Sequence, residues 1–391
     1  TNQPGVTVYQ ADSDTLRLQW TCFTDAEADA GCRQLRLRSL VKGSRRLRLH
    51  VCVRFVLGTD HRAEPFTCLT PLPGMVLAMN PNWPCLAFAA ALDEYGPDET
   101  VCRLLRTLRK HPDCLSGSYG GVIVDGAGEL YTKQTARELV LAANQAGCAF
   151  PGKPLVEGTG SLYNQHIQAG ILHLSWEQTY AHQLRQLAQR LLEFEPPCFA
   201  RPKLLMLHAS DNKRSNTVWL GEQVLAHLPD AFETKTISLQ NGSIHDCRGC
   251  SYEACLHFAA QSRCFYGGSI SDEVLPAISA CDAMLFLCPN YNDAVSANIM
   301  ALFNRLTNLL VKQDLYQKYL YGIVVSGYSG SDIVARQLLG AMCLNKTAIL
   351  PPDFCLMQTA HDPGSVRTAD GIDARITEFA ARIAKIQTVQ K

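Results

Sequence analysis

From residue 203 onward, short apolar runs alternate with longer amphipathic segments, and this alternation restricts the fold more than any other feature of the chain. The runs Lys203–Ala209, Glu233–Leu239, Ala283–Cys288 and Tyr319–Ser326 are interleaved with Asn216–Leu228, Ala294–Leu310, Ser331–Leu344 and Ile372–Ile386. Such spacing predicts a parallel sheet with crossover helices. After Tyr291, the residues Val295, Ile299, Leu302, Phe303, Leu306, Leu309 and Leu310 recur with the helical period and form one apolar face for packing on that sheet.

A chain of 391 residues suits two domains. The stretch Leu191–Lys203 ends a helical pattern in Pro196 and Pro197, which places the boundary there, with domains expected over 1–198 and 201–391. Two short stretches repeat between the halves in the same order. Met75–Trp83 parallels Ala283–Tyr291, Gly121–Gly128 parallels Gly322–Ser329, and Pro151 matches Pro351. The first domain therefore reads as a degenerate copy, although any two α/β domains share strand-then-turn patterns. Residues 1–74 lack a Ser/Thr/Asn-rich turn between strand and helix, and the strand-like Leu47–Leu57 leaves little room for a crossover helix before Met75.

The 36 basic and 36 acidic side chains cancel, so no net field draws nucleic acid or anionic lipid. No apolar run has the roughly 18–20 residues needed to cross a bilayer. The 17 cysteines are scattered through strand-like stretches, which reads as free thiols in a reducing cytoplasm. The 11 histidines show no paired ligand spacing, and Glu157–Ser161 lacks the rest of a dinucleotide fingerprint.

The chemistry-bearing segment is His208-Ala-Ser-Asp-Asn-Lys-Arg-Ser-Asn-Thr217, between a strand and a helix start. Free backbone N–H groups, hydroxyls and the positive end of a helix dipole meet there, which suits a phosphate. An ordinary N-cap by Ser215 or Asn216 is the alternative. The turn Pro289–Asn292 ends a buried strand, where ligands of open α/β sheets collect, and it offers Tyr291 as an aromatic wall.

The run Ala-Ser-Asp-Asn-Lys-Arg-Ser-Asn-Thr resembles the phosphate loop of the NADPH-dependent FMN reductase and multimeric flavodoxin family. Three further blocks follow in family order: Cys247-x-x-Cys250 with Cys255, Cys264 and Ser271-Asp272-Glu273; Cys288–Ala297 through Asn304-Arg305; and Ser326–Gly330. The blocks span about 203–330, and the match extends toward 388. Ala209, Asn212, Met300 and Asn304 depart from the family's glycine, arginine, lysine and aspartate, and Lys213 or Arg214 stands in for the lost positive charge.

The resemblance implies a flavodoxin-like doubly wound parallel sheet with helices on both faces, preceded by a second, degenerate flavodoxin-like α/β domain without a phosphate loop. It implies an FMN-dependent oxidoreductase that takes electrons from NAD(P)H as co-substrate and passes them to a small acceptor: a quinone, a nitro or azo compound, or flavin. No side chain acts as nucleophile in that scheme. The residues it assigns to FMN are Ser210, Asn212, Arg214, Ser215, Asn216, Thr217, Pro289, Asn290, Tyr291, Asn292, Ser326, Gly327, Tyr328 and Gly330.

The alternatives are a flavodoxin-type electron carrier or an iron–sulfur flavoprotein without NAD(P)H oxidase activity, or a flavin-free scaffold. For Cys247, Cys250, Cys255 and Cys264, the spacing C-x2-C-x4-C-x8-C fits neither a compact cluster motif nor a paired zinc site. A metal-free loop over the pocket is the expectation, with ligation by those four the alternative. The partners implied are a small acceptor, with no nucleic acid and no membrane, and either a homo-oligomer or an intrachain pseudo-dimer. In the latter, Trp83, Asp125 or Glu129 closes the pocket.

Overall fold

The computed structural model describes residues 6–13, 16–25, 30–39, 54–55, 67–68, 75–80, 83–210, 214–240, 244–261 and 264–388, with side chains from Cys85 onward except that of Tyr252. Near the start, β1 (Val6–Ser13), β2 (Leu16–Asp25) and β3 (Ala30–Ser39) form an antiparallel meander. A two-residue pair follows, β4 (Arg54–Phe55) with β5 (Thr67–Cys68). Of the strand-like Leu47–Leu57, only β4 falls among the described residues.

The next sheet has the order β6-β7-β8-β9, from β6 (Met75–Asn80), β7 (Trp83–Leu92), β8 (Tyr119–Gly126) and β9 (Leu155–Gly158). β6 pairs antiparallel to β7, and the remaining pairs are parallel. The crossovers carry α1 (Glu99–Lys110), capped by the Asp98 carboxylate, and α2 (Thr132–Gln145). α3 (His166–Leu172) and α4 (Trp176–Leu192) follow β9, and α4 opens with a Ser175/Gln178 capping box.

Beyond the Pro196-Pro197 strap, the second sheet runs β11-β10-β12-β13-β14 and is parallel throughout. Its strands are β10 (Lys203–His208), β11 (Glu233–Ser238), β12 (Ala283–Pro289), β13 (Tyr319–Ser326) and β14 (Cys355–Thr359). In chain order of its own strands this is 2-1-3-4-5, the flavodoxin order. Its helices are α5 (Asn216–Ala226), α6 (Tyr252–Ala260), α7 (Leu275–Ala280), α8 (Ala297–Arg305), α9 (Thr307–Leu310), α10 (Ser331–Leu339) and α11 (Ile372–Ala384).

Alternation along each strand explains why both faces are covered. Leu204 and Met206 of β10 join a core with α5 and α11, whereas Leu205 and Leu207 join the core beneath α7, α8 and α10. That second core does not stop at the domain join. It continues without interruption into Leu86, Phe88, Val122, Val124 and the inner faces of α1 and α2.

The internal repeat is real, and its register differs from the sequence reading at one place. Tyr119 and Tyr319, Ala149 and Ile349, and Phe150 and Leu350 occupy the same places in their halves, 200 positions apart. β8 therefore corresponds to β13, and Pro151 to Pro351. The counterpart of β12 is β7 rather than Met75–Trp83: the turn Asp93–Gly96 followed by Asp98 at the α1 N-cap matches the turn Tyr291–Ala294 followed by Ser296 at the α8 N-cap. β6 takes the place that β10 holds in the second half, but runs the other way. The first half thus keeps the equivalents of β12, β13 and β14 and has no described equivalent of the β10–α5 turn.

The halves meet about a pseudo-two-fold axis. Phe150 N donates to Leu350 O at 2.8 Å and Leu350 N donates to Phe150 O at 2.9 Å, a reciprocal pair between equivalent residues. Around it, Lys153 N reaches Cys343 O and Asp353 N reaches Asn144 O. α2 packs on its counterpart α10, with an Arg336–Glu138 ion pair of 3.2 Å between them. The two halves thus pack against each other within one chain.

Candidate functional site

A cleft of about 560 Å³ opens at the carboxyl edge of the second sheet, beside the paired strands β10 and β12, whose following connections lead to opposite sides of the sheet. This is the switch point at which open α/β sheets bind ligands. Four loops meet there: the turn after β10, the turn after β12, the loop after β13 and the loop after β14.

The first loop ends at Ser215, whose Oγ accepts from Val218 N and so caps α5. Ser210, Arg214, Ser215, Asn216 and Thr217 all line the cleft, while Asn212 lies outside the described residues. At the loop's base, Ser210 N donates to His208 Nδ1 at 3.3 Å, and burial lowers the His208 pKa, keeping the ring neutral. Asn216 has a task the sequence does not reveal. Its Oδ1 accepts from Gly364 N at 2.8 Å and its Nδ2 donates to Asp362 O at 2.9 Å, so the side chain clamps the loop after β14.

The second loop is a tight turn in which Asn292 and Asp293 both have positive φ, 54° and 56°. Asn and Asp tolerate this left-handed region better than most residues. Asn290 fixes the turn to the third loop: its Nδ2 donates to Ser329 O at 2.9 Å and to Ser326 Oγ at 3.1 Å. Gln337 of α10 holds the other side, accepting from Val295 N and donating to Asp293 O at 2.8 Å. Gly330, with φ 84°, is required here because a Cβ would meet Asp293 Oδ1 at 2.2 Å. Pro289, Asn290, Tyr291 and Asn292 line the cleft, as do Gly327 and Tyr328; Ser326 and Gly330 lie behind them as supports.

Tyr291 and Tyr328 are 62% and 77% exposed at the cleft mouth. His361, absent from the sequence reading, lies against Tyr328 with ring centroids 4.6 Å apart. Its segment Ala360-His-Asp-Pro carries no periodic or glycine-rich signal; the Asn216 clamp and the bond from Ala360 N to Ser326 O at 2.9 Å hold it at the site. The amide oxygen of Asn290 is buried and has no hydrogen-bond partner among the described residues.

Every described residue lining the cleft comes from the second half. Asp125 instead accepts from the Tyr180 hydroxyl at 2.6 Å, and Glu129 accepts from Ser161 N at 3.0 Å. Neither closes the pocket, because the pseudo-dimer joins the halves along α2 and α10 rather than across the strand ends; the side chain of Trp83 lies outside the described residues.

The cysteine segment follows β11. Cys247, Cys250, Cys255 and Cys264 all border one cavity of about 230 Å³, together with Phe258, Phe265 and Tyr266. Asn304 and Arg305 secure that segment: Asn304 donates to Asp246 at 2.9 Å, and the buried Arg305 donates to Gly267 O at 2.7 Å. Among the described residues no group of three or more His, Cys, Asp or Glu side chains is placed to hold a metal ion.

Several solved structures resemble part of this chain. An NAD(P)H:quinone oxidoreductase from Methanothermobacter marburgensis is 14% identical, covers 49% of this chain and 99% of its own, with a TM-score of 0.35. An FMN-dependent NADH-azoreductase from Bacillus anthracis is 12% identical, with coverages of 46% and 99% and a TM-score of 0.32. An oxidoreductase from Corynebacterium diphtheriae is 18% identical, with coverages of 48% and 97% and a TM-score of 0.32. No curated protein matches the chain. The family model described as NADPH-dependent FMN reductase matches residues 202–362, the stretch that carries β10 to β14 and the cleft-lining residues from Ser210 to His361.

Proposed function

We propose that the second half binds FMN in the 560 Å³ cleft and works as an NAD(P)H-dependent oxidoreductase that reduces a small acceptor such as a quinone, a nitro or azo compound, or free flavin. The observation that carries this reading is the convergence of the Ser210–Thr217 loop, the α5 N-terminus and the Pro289–Asn292 turn on one cleft of that size. Bound FMN would supply the two-electron chemistry that no side chain of the cleft provides.

The residues fit such a group. Ser210, Arg214, Ser215 and Thr217, with the first N–H groups of α5, suit the phosphate; Asn212 belongs to the same loop. Pro289 to Asn292 would border the ring edge. Tyr291 and Tyr328 would wall the ring, and Ser326, Gly327 and Gly330 shape the loop between them. The described cysteines are all free, as a reducing cytoplasm keeps them.

Purified protein loaded with FMN is the material for the test. Flavin absorbance should bleach when NADPH or NADH is added without oxygen, and recover when a quinone follows. An FMN-loaded protein that stays oxidised would support the electron-carrier reading instead. Failure to retain FMN at micromolar concentration rejects both. A second reading, an iron–sulfur flavoprotein, is favoured by one observation only: four cysteines share a cavity. Iron and sulfide analysis on protein purified anaerobically decides it, since protein free of iron excludes that branch.

A further inference from the structure

The carboxyl edge of the first sheet, the counterpart of the cleft edge, is apolar and acidic. Tyr95 follows β7, Leu130 follows β8, and Tyr163, Ile167 and Ile171 follow β9; each is at least 60% exposed. Their loops form one continuous surface. The Tyr95-Gly96 turn lies against the Tyr131 ring, Gly160 N donates to Gly128 O at 3.0 Å, and Ser161 N donates to Glu129 at 3.0 Å. The exposed acidic side chains Asp93, Glu94 and Glu129 are interleaved with the apolar ones. Bulky apolar side chains gathered at one edge and rimmed by polar groups mark a contact surface.

The chain carries a segment that suits this surface. Across the β1–β3 meander, Tyr9, Trp20 and Leu35 stand in register, as do Ala11, Leu18 and Leu37. The alternate positions align Gln10 with Gln19 and Arg36, and Asp12 with Arg17 and Arg38. Alternation thus gives the meander one apolar and one polar face, and an antiparallel sheet of this kind buries the apolar one. Residues 30–59 contain eight Lys or Arg and no Asp or Glu, opposite in sign to the acidic edge. The tether between the two is short. β5 lies against β3, and Cys68 is seven residues from Met75, at most ~24 Å of chain. Met75 pairs with Ala90, two residues before β7 ends, so the chain joins the sheet at that same edge.

We propose that the apolar face of the β1–β3 meander docks on the carboxyl edge of the first sheet, over Tyr95, Leu130, Tyr163, Ile167 and Ile171. The occupant is this chain's own N-terminal segment, selected by apolar match, by charge and by the length of the tether. Size agrees: β2 and β3 extend ~33 Å, and the edge from β6 to β9 spans ~14 Å. The degenerate half then holds a piece of its own chain at the strand ends where its counterpart holds a cleft. The inference does not depend on what the cleft binds.

Two native thiols report on the docking, because Cys22 falls on the apolar face of the meander and Cys32 on the polar one. In the full chain at low micromolar concentration, iodoacetamide should modify Cys22 at least about tenfold more slowly than Cys32, since a docked face reacts only when it opens. Ile167→Asp combined with Ile171→Asp, at positions already exposed among the described residues, should abolish that difference. Leu35→Asp combined with Leu37→Asp probes the other side of the contact. Hydroxyl-radical oxidation of Tyr95 and Tyr163, suppressed in the parent, should rise several-fold in that variant. Equal rates for the two thiols, protection of Cys22 that survives the isoleucine changes, or tyrosines as reactive in the parent as in the leucine variant each overturn the proposal. Protection that disappears on dilution, as a dimer dissociates, assigns the surface to a second copy of the chain and overturns it too.

Discussion

Single side chains in the cleft divide into those that face a ligand and those that hold the loops in place, and the sequence cannot tell one from the other. Asn216 reads as a phosphate-loop donor because it follows Ser215 in a motif, yet its amide joins α5 to the loop after β14. Asn216→Ala removes these bonds and should destabilise the protein by ~1–3 kcal/mol, lowering the melting temperature and weakening FMN binding together. Arg214→Gln, by contrast, should weaken FMN about tenfold with the melting temperature unchanged and riboflavin affinity unaffected, as titrations of both flavins would reveal. If both flavins weaken equally, Arg214 does not meet the phosphate. His208 adds a pH effect. Its folded pKa is depressed by burial, so below its ordinary value near 6.5 the unfolded chain takes up a proton that the folded chain resists. Stability should therefore decline as pH falls through that value, more steeply in the parent than in His208→Asn. Parallel melting curves for the two proteins would remove His208 from this account.

Among whole elements, legibility follows burial. β10, β12 and β13 are continuous apolar runs buried on both faces, and such runs announce themselves in sequence. The edge strand β14 reads Cys-Leu-Met-Gln-Thr and is buried only at its start, so nothing marks it as a strand. Ala294–Leu310 reads as one helix but divides into α8 and α9 at Leu306, whose neighbours carry the same apolar face through the break. The misregister of β6 has a similar origin: Asn80-Pro-Asn-Trp83 imitates the Pro-Asn-Tyr turn after β12, while the strand carrying the true equivalent, β7, is an alanine-rich run with no polar punctuation until Asp93. Burial also sorts the thiols. Cys148, Cys281 and Cys288 are pushed up to about 12 by burial, which leaves almost no thiolate at neutral pH. Iodoacetamide at pH 7.5 should label the exposed Cys102, Cys198, Cys247 and Cys250 and spare those three under native conditions, as peptide mass spectrometry would record. Rapid labelling of Cys288 would mean that β12 opens far more readily than a central strand should.

For the molecule as a whole, the repeat raises the question of whether 1–198 and 201–391 behave as separate domains. The strap at Pro196-Pro197 argues for a boundary, and the core argues against independence. One apolar cluster runs from Phe88 and Leu139 to Phe286 and Leu338, with the reciprocal Phe150–Leu350 pair at its centre and α2 against α10 beside it. Asn144, fully buried, donates to Pro351 O at 2.7 Å and accepts from Phe354 N at 3.0 Å, so the first half satisfies backbone groups of the second. Neither half can unfold without uncovering this surface and breaking those bonds, which couples them into one cooperative unit. Calorimetry should therefore give a single transition from Cys85 to Thr388, with Asn144→Leu lowering its midpoint as a whole. Leucine at that position leaves three backbone groups, Cys148 O, Pro351 O and Phe354 N, without the Asn144 side chain, about 3–9 kcal/mol in total, so the shift should be several degrees. Two resolved transitions, with only the first moved by Asn144→Leu, would show that the pseudo-symmetric seam is a contact between independent domains and that the flavodoxin-like half does not rely on its degenerate copy.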